Sequence, residues 1–140
     1  MTTALDSARD LFDDISAAAD RTAPDPVPTE TVQALVDADL HAICTPKEVG
    51  GLELGLVEQM DVLAEVSRAD GSAGWILLAN SSTIAFFGAW AGEDFARDLF
   101  ADGVPLAAGQ FAPNGVATPA AGGYQVTGDY QFGSGINHST

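Results

Sequence analysis

The sequence holds a single lysine, Lys47, and only Arg9, Arg21, Arg68 and Arg97 beside it. Set against 20 Asp and Glu residues, these leave a formal net charge of −15. A nucleic-acid backbone is bound by clustered cations, and none are clustered here, so nucleic acid is excluded as a partner. The acid excess reads as a solvated, soluble surface; an acid-rich, lysine-poor surface also suits a high-salt host. Cysteine is equally scarce. Cys44 stands alone, so no internal disulfide can form, and it lacks any CxxC or Cys/His companion with metal-ligand spacing. It reads as a buried structural thiol, and no metal site is expected. Long hydrophobic runs are missing too. A membrane helix needs roughly 18 apolar residues in a row. The greasiest stretch, residues 71–90, is interrupted by Asn80, Ser81, Ser82 and Thr83. The first residues are acidic and lack the basic and apolar regions of a signal peptide. A cytoplasmic protein with no membrane partner is the expectation.

What is present is a globular composition. Of 140 residues, 46% are hydrophobic and 18% charged, enough for one domain or one domain and part of a second. Residues 3–21 repeat apolar side chains at helical spacing, with Leu5, Ala8, Leu11, Phe12 and Ile15 on one face and Asp6, Asp10, Asp13 and Asp14 opposite. The prolines of residues 23–28 predict a loop. Thr29 reads as the cap of a second helix ending near Asp39. A short extended piece is predicted over 40–45 and a glycine turn at Gly50-Gly51. A third helix is predicted over 56–68. Asp70-Gly71-Ser72 breaks it and can cap a fourth, residues 73–89, which is apolar nearly all round and should be covered on most faces. A short fifth helix follows over 93–100. From Leu106 the period changes to alternation, with strands predicted at 106–111, 124–127 and 130–132 and turns at Gly122-Gly123 and Gly128-Asp129. The fold class predicted is α+β: an amino-terminal α-helical domain (1–104), then the first antiparallel strands of an incomplete β-domain (105–140).

Three patterns could carry chemistry. Pro46-Lys47-Glu48-Val49-Gly50-Gly51 is a glycine turn or a pocket-lining loop; no Gly-Lys-Ser/Thr follows, so it is not a phosphate loop. Asp70-Gly71-Ser72-Ala73-Gly74-Trp75 is a capped helix start whose small residues allow close packing, with the Trp75 ring filling a gap. On the same helix Asn80, Ser81, Ser82 and Thr83 need partners, which backbone, water or a ligand could supply. The third pattern runs from Gln110 to Ala117 and on through a hairpin to His138. It is an ordinary meander or a platform for a planar ring, with backbone groups of 110–115 and the Ser134 hydroxyl, held between Gly133 and Gly135, touching the ring. Ser134 and His138 suggest nucleophilic catalysis, but no acid orients the histidine and no nucleophile elbow is present.

Taken in order, these patterns resemble the acyl-CoA dehydrogenase superfamily of flavoproteins. That family carries a Pro-x-x-x-Gly-Gly loop, matched by Pro46 to Gly51, and an acidic-small-Ser-x-x-Trp helix start, matched by Asp70 to Trp75. Pro113-x-Gly115-x-Ala117, Gly122-Gly123-Tyr124 and Phe132-x-Ser134-Gly135-x-x-His138 look most like its flavin-dependent monooxygenase branch. One departure is Thr83, which stands where that branch often has a histidine and so removes a proton donor or acceptor.

The resemblance implies a flavin cofactor, FAD or FMN. Gln110, Phe111 and Gly115 would hold its ring or phosphate side through backbone groups. Ser134 would bond the N5/O4 edge and stabilise charge developing on reduction. Trp75, Asn80, Thr83 and His138 fall on the substrate pocket; no catalytic residue is assigned. Implied partners are a small-molecule or acyl-CoA-type substrate, a flavin reductase and, in the complete enzyme, further copies of itself. The family fold continues into more β-domain and a four-helix bundle that these residues do not encode. The expectation is therefore the amino-terminal portion of a flavin-dependent oxidoreductase, a fragment or half of a split enzyme, inactive alone. The alternative is a non-catalytic helical interaction module.

Overall fold

The computed structural model describes residues 2–22 and 26–140; residues 23–25 of the predicted proline loop lie outside the described residues. Thr3 starts the first helix, α1 (Ala4–Asp10), with a capping box: its hydroxyl accepts from the Asp6 amide at 3.1 Å while the Asp6 carboxylate accepts from the Thr3 amide at 3.2 Å. The single helix predicted over 3–21 is in fact two, because Leu11 separates α1 from α2 (Phe12–Thr22). The apolar stripe survives the break, and Ala8 and Ile15 enter the same core. Pro28, not Thr29, occupies the cap of α3 (Thr29–Asp37), whose Val32 and Leu35 are buried.

Residues 40–45 are not extended. Asp39 takes a left-handed conformation, φ 57°, and Leu40–Ala42 form a 3-10 turn. The carbonyls of Ala42 and Ile43 accept from the amides of Leu52 and Leu54 at 3.0 and 2.9 Å. Short-range loop pairing thus absorbs the β-formers of this stretch. The loop between them turns through Lys47–Val49 and Gly50, φ 90°.

Two long helices carry the rest of the core: α4 (Leu56–Ala69) and α5 (Gly71–Trp90). Asp70 divides them, its carboxylate accepting from the amides of Ser72 and Ala73 at 2.9 and 3.2 Å. Gly74 is the close approach, since a β-carbon there would run into Ser67 of α4. One face of α5 is buried through Ala73, Leu77, Asn80, Ser81 and Ile84. Its other face, with Trp75, Phe86, Phe87 and Trp90, is exposed, so the cover expected on most sides exists on one. Ala96 of α6 (Glu93–Leu99) joins Phe100 and Ile84 in a second, smaller core.

The sheet is a two-stranded antiparallel hairpin, β1 (Gly115–Ala120) and β2 (Gly123–Gly128), with Gly115 opposite Gly128 and Ala120 opposite Gly123. Both strands are exposed along their length. The strands predicted at 106–111 and 130–132 do not form. The carbonyls of the first are taken instead by a side chain and a distant amide: Asn80 Nδ2 donates to Ala107 at 2.9 Å, and the Thr140 amide to Leu106 at 3.0 Å. The molecule is α+β, as predicted. Among the described residues no helix is long and apolar enough to cross a membrane.

Candidate functional site

Helix α5 carries three of the predicted site residues, Trp75, Asn80 and Thr83. Trp75 lies one turn from its start, with Asn80 and Thr83 further along. Segments 105–111 and 133–138 lie against it. Trp75 Nε1 donates to Ser134 Oγ at 2.9 Å. The ring does not fill a gap, as expected from its small neighbours, but stays 58% exposed. Ser134 is therefore tied to the indole, and among the described residues no hydrogen bond joins it to His138. The Ser–His pair visible in the sequence does not form a catalytic couple.

Asn80 sits beneath the site, 1% exposed, bonding Ala107 through Nδ2. Its amide also occupies the place of a Gly135 side chain, and among the described residues its buried Oδ1 has no partner. Gly135 has φ 81°. The two glycines around Ser134 thus differ: Gly135 faces inward onto Asn80, while a β-carbon on Gly133 would find only Ile136 Cβ, at 3.8 Å. The rest of the polar patch on α5 is mostly self-satisfied. Ser82 Oγ back-bonds to the Leu78 carbonyl at 2.7 Å, and Ser81 Oγ to the same carbonyl at 3.4 Å.

Gln110 uses its side chain internally. Nε2 donates to the Ala112 carbonyl at 2.8 Å, and Oε1 accepts from the Gln131 amide at 2.6 Å, tying the two loops together. One Nε2 hydrogen and one Oε1 lone pair are thereby committed within the protein. Phe111 packs edge-on against Phe86, centroids 5.6 Å apart, yet is 87% exposed. Gly115 begins β1 with the Tyr130 hydroxyl where a side chain would stand. Phe132 holds a left-handed φ of 59° with its ring 91% exposed, a conformation that costs a bulky residue roughly 1–2 kcal/mol.

Two open cavities flank this arrangement. One of about 200 Å³ is lined by Thr83, Phe86, Phe87, Gly109, Gln110 and Phe111. Another of about 550 Å³ is lined by Trp75, Gly133, Gly135, Ile136 and His138. The residues assigned to one substrate pocket are thus divided: Thr83 lines the first, Trp75 and His138 the second, and Asn80 neither. Among the described residues no group of His, Cys, Asp and Glu could hold a metal ion. Burial pushes the Cys44 thiol above its ordinary range, so it stays protonated; it donates weakly to Gln59 Oε1 at 3.4 Å.

Sequence reasoning missed the Trp75–Ser134 bond and the seat that Asn80 gives Gly135. It also missed His41, buried between helices with its Nε2 2.9 Å from the Val104 carbonyl. These contacts join residues far apart in the chain, and no local pattern carries them. Chemically the site offers one oriented hydroxyl, free backbone groups and exposed aromatic rings: a surface for a flat, partly polar ligand.

Residues 2–98 match the family model of the acyl-CoA dehydrogenase N-terminal domain. The chain is 38% identical over 116 residues to the pigment production hydroxylase of Rhodococcus sp. (strain ATCC 21145), covering 79% of this chain and 28% of that protein. It is 28% identical over 116 residues to the p-hydroxyphenylacetate 3-hydroxylase oxygenase component of Acinetobacter baumannii, covering 81% and 27%. It thus spans under a third of the length of these relatives. Among solved structures it is similar to XiaF from Streptomyces sp. in complex with FADH2 and glycerol, with TM-score 0.87 and 23% identity over 97% of this chain and 35% of that one. It is also similar to the HsaA monooxygenase from M. tuberculosis, with TM-score 0.86 and 23% identity over 97% and 38%. At that identity the likeness concerns the fold. The family match over residues 2–98 is what places the protein: it belongs to the acyl-CoA dehydrogenase N-terminal domain family.

Proposed function

We propose that this chain contributes one side of the flavin site and part of the substrate pocket of a flavin-dependent oxidoreductase, of the kind in which an oxygenase component uses flavin reduced by a partner reductase. The observation that carries the reading is the Ser134 hydroxyl, tied to Trp75 at 2.9 Å beside an open backbone at Gly133. A flavin would supply the redox chemistry. Ser134 would hydrogen-bond its N5/O4 edge, and the backbone of Gln110, Phe111 and Gly115 would support the ring or phosphate side. The exposed rings of Phe111 and Phe132 exclude water once covered. Residues 105–140 then open a β-domain after the helical one, residues 1–104. Support comes from relatives whose names are hydroxylases and oxygenase components, and from a fold shared with a chain solved with FADH2. The substrate is a small molecule reaching Thr83 and the phenylalanines beside it. The complete enzyme is a homo-oligomer acting in the cytoplasm.

The test is binding. FAD and FMN are titrated into the protein and its Ser134→Ala variant, and flavin fluorescence is followed. Quenching is expected, with affinity roughly fivefold weaker in the variant, the worth of one hydrogen bond. Equal affinity removes Ser134 from the site. A second reading, a non-catalytic interaction module, draws on the exposed apolar side chains of α4 and α5, among them Leu56, Val57, Met60 and Trp90. No quenching by either flavin favours it.

A further inference from the structure

We infer that Trp75 is a positioning residue that keeps the proton of the Ser134 hydroxyl turned away from the indole. The inference rests on the proposed flavin-edge role of Ser134. An indole N–H can only donate. With Trp75 Nε1 2.9 Å from Ser134 Oγ, the serine oxygen receives that hydrogen, and its own O–H cannot point back along the same line. Among the described residues no acceptor takes the serine proton. The oxygen keeps one further lone pair, and its proton is left to the directions that do not face the indole. The group that meets that proton is an acceptor, such as the carbonyl O4 of a flavin in either redox state; the N5 of a reduced flavin carries a hydrogen and would meet the remaining lone pair instead.

The turn that carries the hydroxyl is fixed from both ends. Asn80, buried on α5, stands where a Gly135 side chain would be, and the Ser134 amide donates to the Phe132 carbonyl at 2.9 Å. Main-chain position is therefore set without Trp75. What the indole adds is the direction of one rotor, which a ligand would otherwise have to fix for itself. Trp75→Phe keeps an aromatic side chain while removing the donor together with the pyrrole half of the indole, and the double-mutant cycle below separates the two effects.

Two measurements test this. The protein has two tryptophans, so its nitrogen-15 proton spectrum shows two indole signals. Ser134→Ala is expected to shift the Trp75 signal and speed its solvent exchange several-fold, leaving the signal of the more exposed Trp90 in place. An unmoved Trp75 signal overturns the inference whatever flavin does, and this arm needs no change at Trp75. The second is a double-mutant cycle read by titration with oxidised FMN and FAD. Trp75→Phe is expected to weaken binding about threefold in the natural background and not at all in the Ser134→Ala background. Equal losses in both backgrounds, or none in either, overturn the inference while the flavin reading stands. Failure of Ser134→Ala to weaken binding, or of the unaltered protein to bind, sinks that reading and the inference with it.

Discussion

At Gly135 the backbone sits at φ 81° with the Asn80 amide where a side chain would begin. A β-carbon there meets two costs at once, a left-handed conformation and a clash with a buried amide already bonded to Ala107. Gly133, one residue before Ser134, has neither problem. Gly135→Ala is therefore expected to lower stability by about 1–3 kcal/mol, and Gly133→Ala by less than about 0.5 kcal/mol, in urea unfolding followed by circular dichroism. Equal losses would show that the turn is not seated on Asn80. The Gly-Ser-Gly triplet is conspicuous in the sequence, and so is the polar patch on the central helix. Their juxtaposition is not, because it depends on how far the chain travels between them: Trp75 and Ser134 are 59 residues apart.

Helix α5 illustrates which elements a sequence declares. Its start is local chemistry: an aspartate followed by small residues, the carboxylate holding two amides that the helix itself cannot satisfy. Asp70→Ala should cost about 1 kcal/mol, seen as a lower Tm, and Asp70→Asn much less. A Tm unchanged by the alanine would mean that α4 and α5 pack tightly enough to fix the helix end without the cap. Turn glycines likewise marked Gly122 and Gly123, where the hairpin does reverse. The alternating stretch over 106–111 misled for a physical reason. A strand needs a neighbouring strand to take its carbonyls, and here the Asn80 side chain and the Thr140 amide take them. The extended reading of 40–45 failed in the same way, once Asp39 reversed the chain and residues 52 and 54 came back to pair.

Over the whole molecule the charge is the least local property and the most legible. The net charge of −15 is read directly from the residues, and the fold does little to relieve it. Among the described residues the ion pairs are Arg9–Asp6, Arg68–Glu65 and Arg97–Asp94, each within one helical turn. Pairs this exposed contribute little, because water and salt screen them. None ties one element to another, so the remaining carboxylates repel across the surface and strain the compact state. Salt acts on both terms. It weakens the three local pairs slightly, and it shortens the reach of every like-charge repulsion, from a screening length of about 30 Å at 0.01 M to about 8 Å at 0.15 M. The repulsive pairs are far more numerous, so screening wins. Raising potassium chloride from 0.01 to 0.3 M at pH 7 should stabilise the protein by about 1 kcal/mol or more, a rise of several degrees in Tm by calorimetry. Chloride at these concentrations screens without the strong surface exclusion of sulfate, so the rise should level off as the screening length falls below the spacing of surface charges. A Tm that falls with salt would mean that the attractive pairs dominate, and that the acid excess is spread widely enough to be solvated at no cost to the fold.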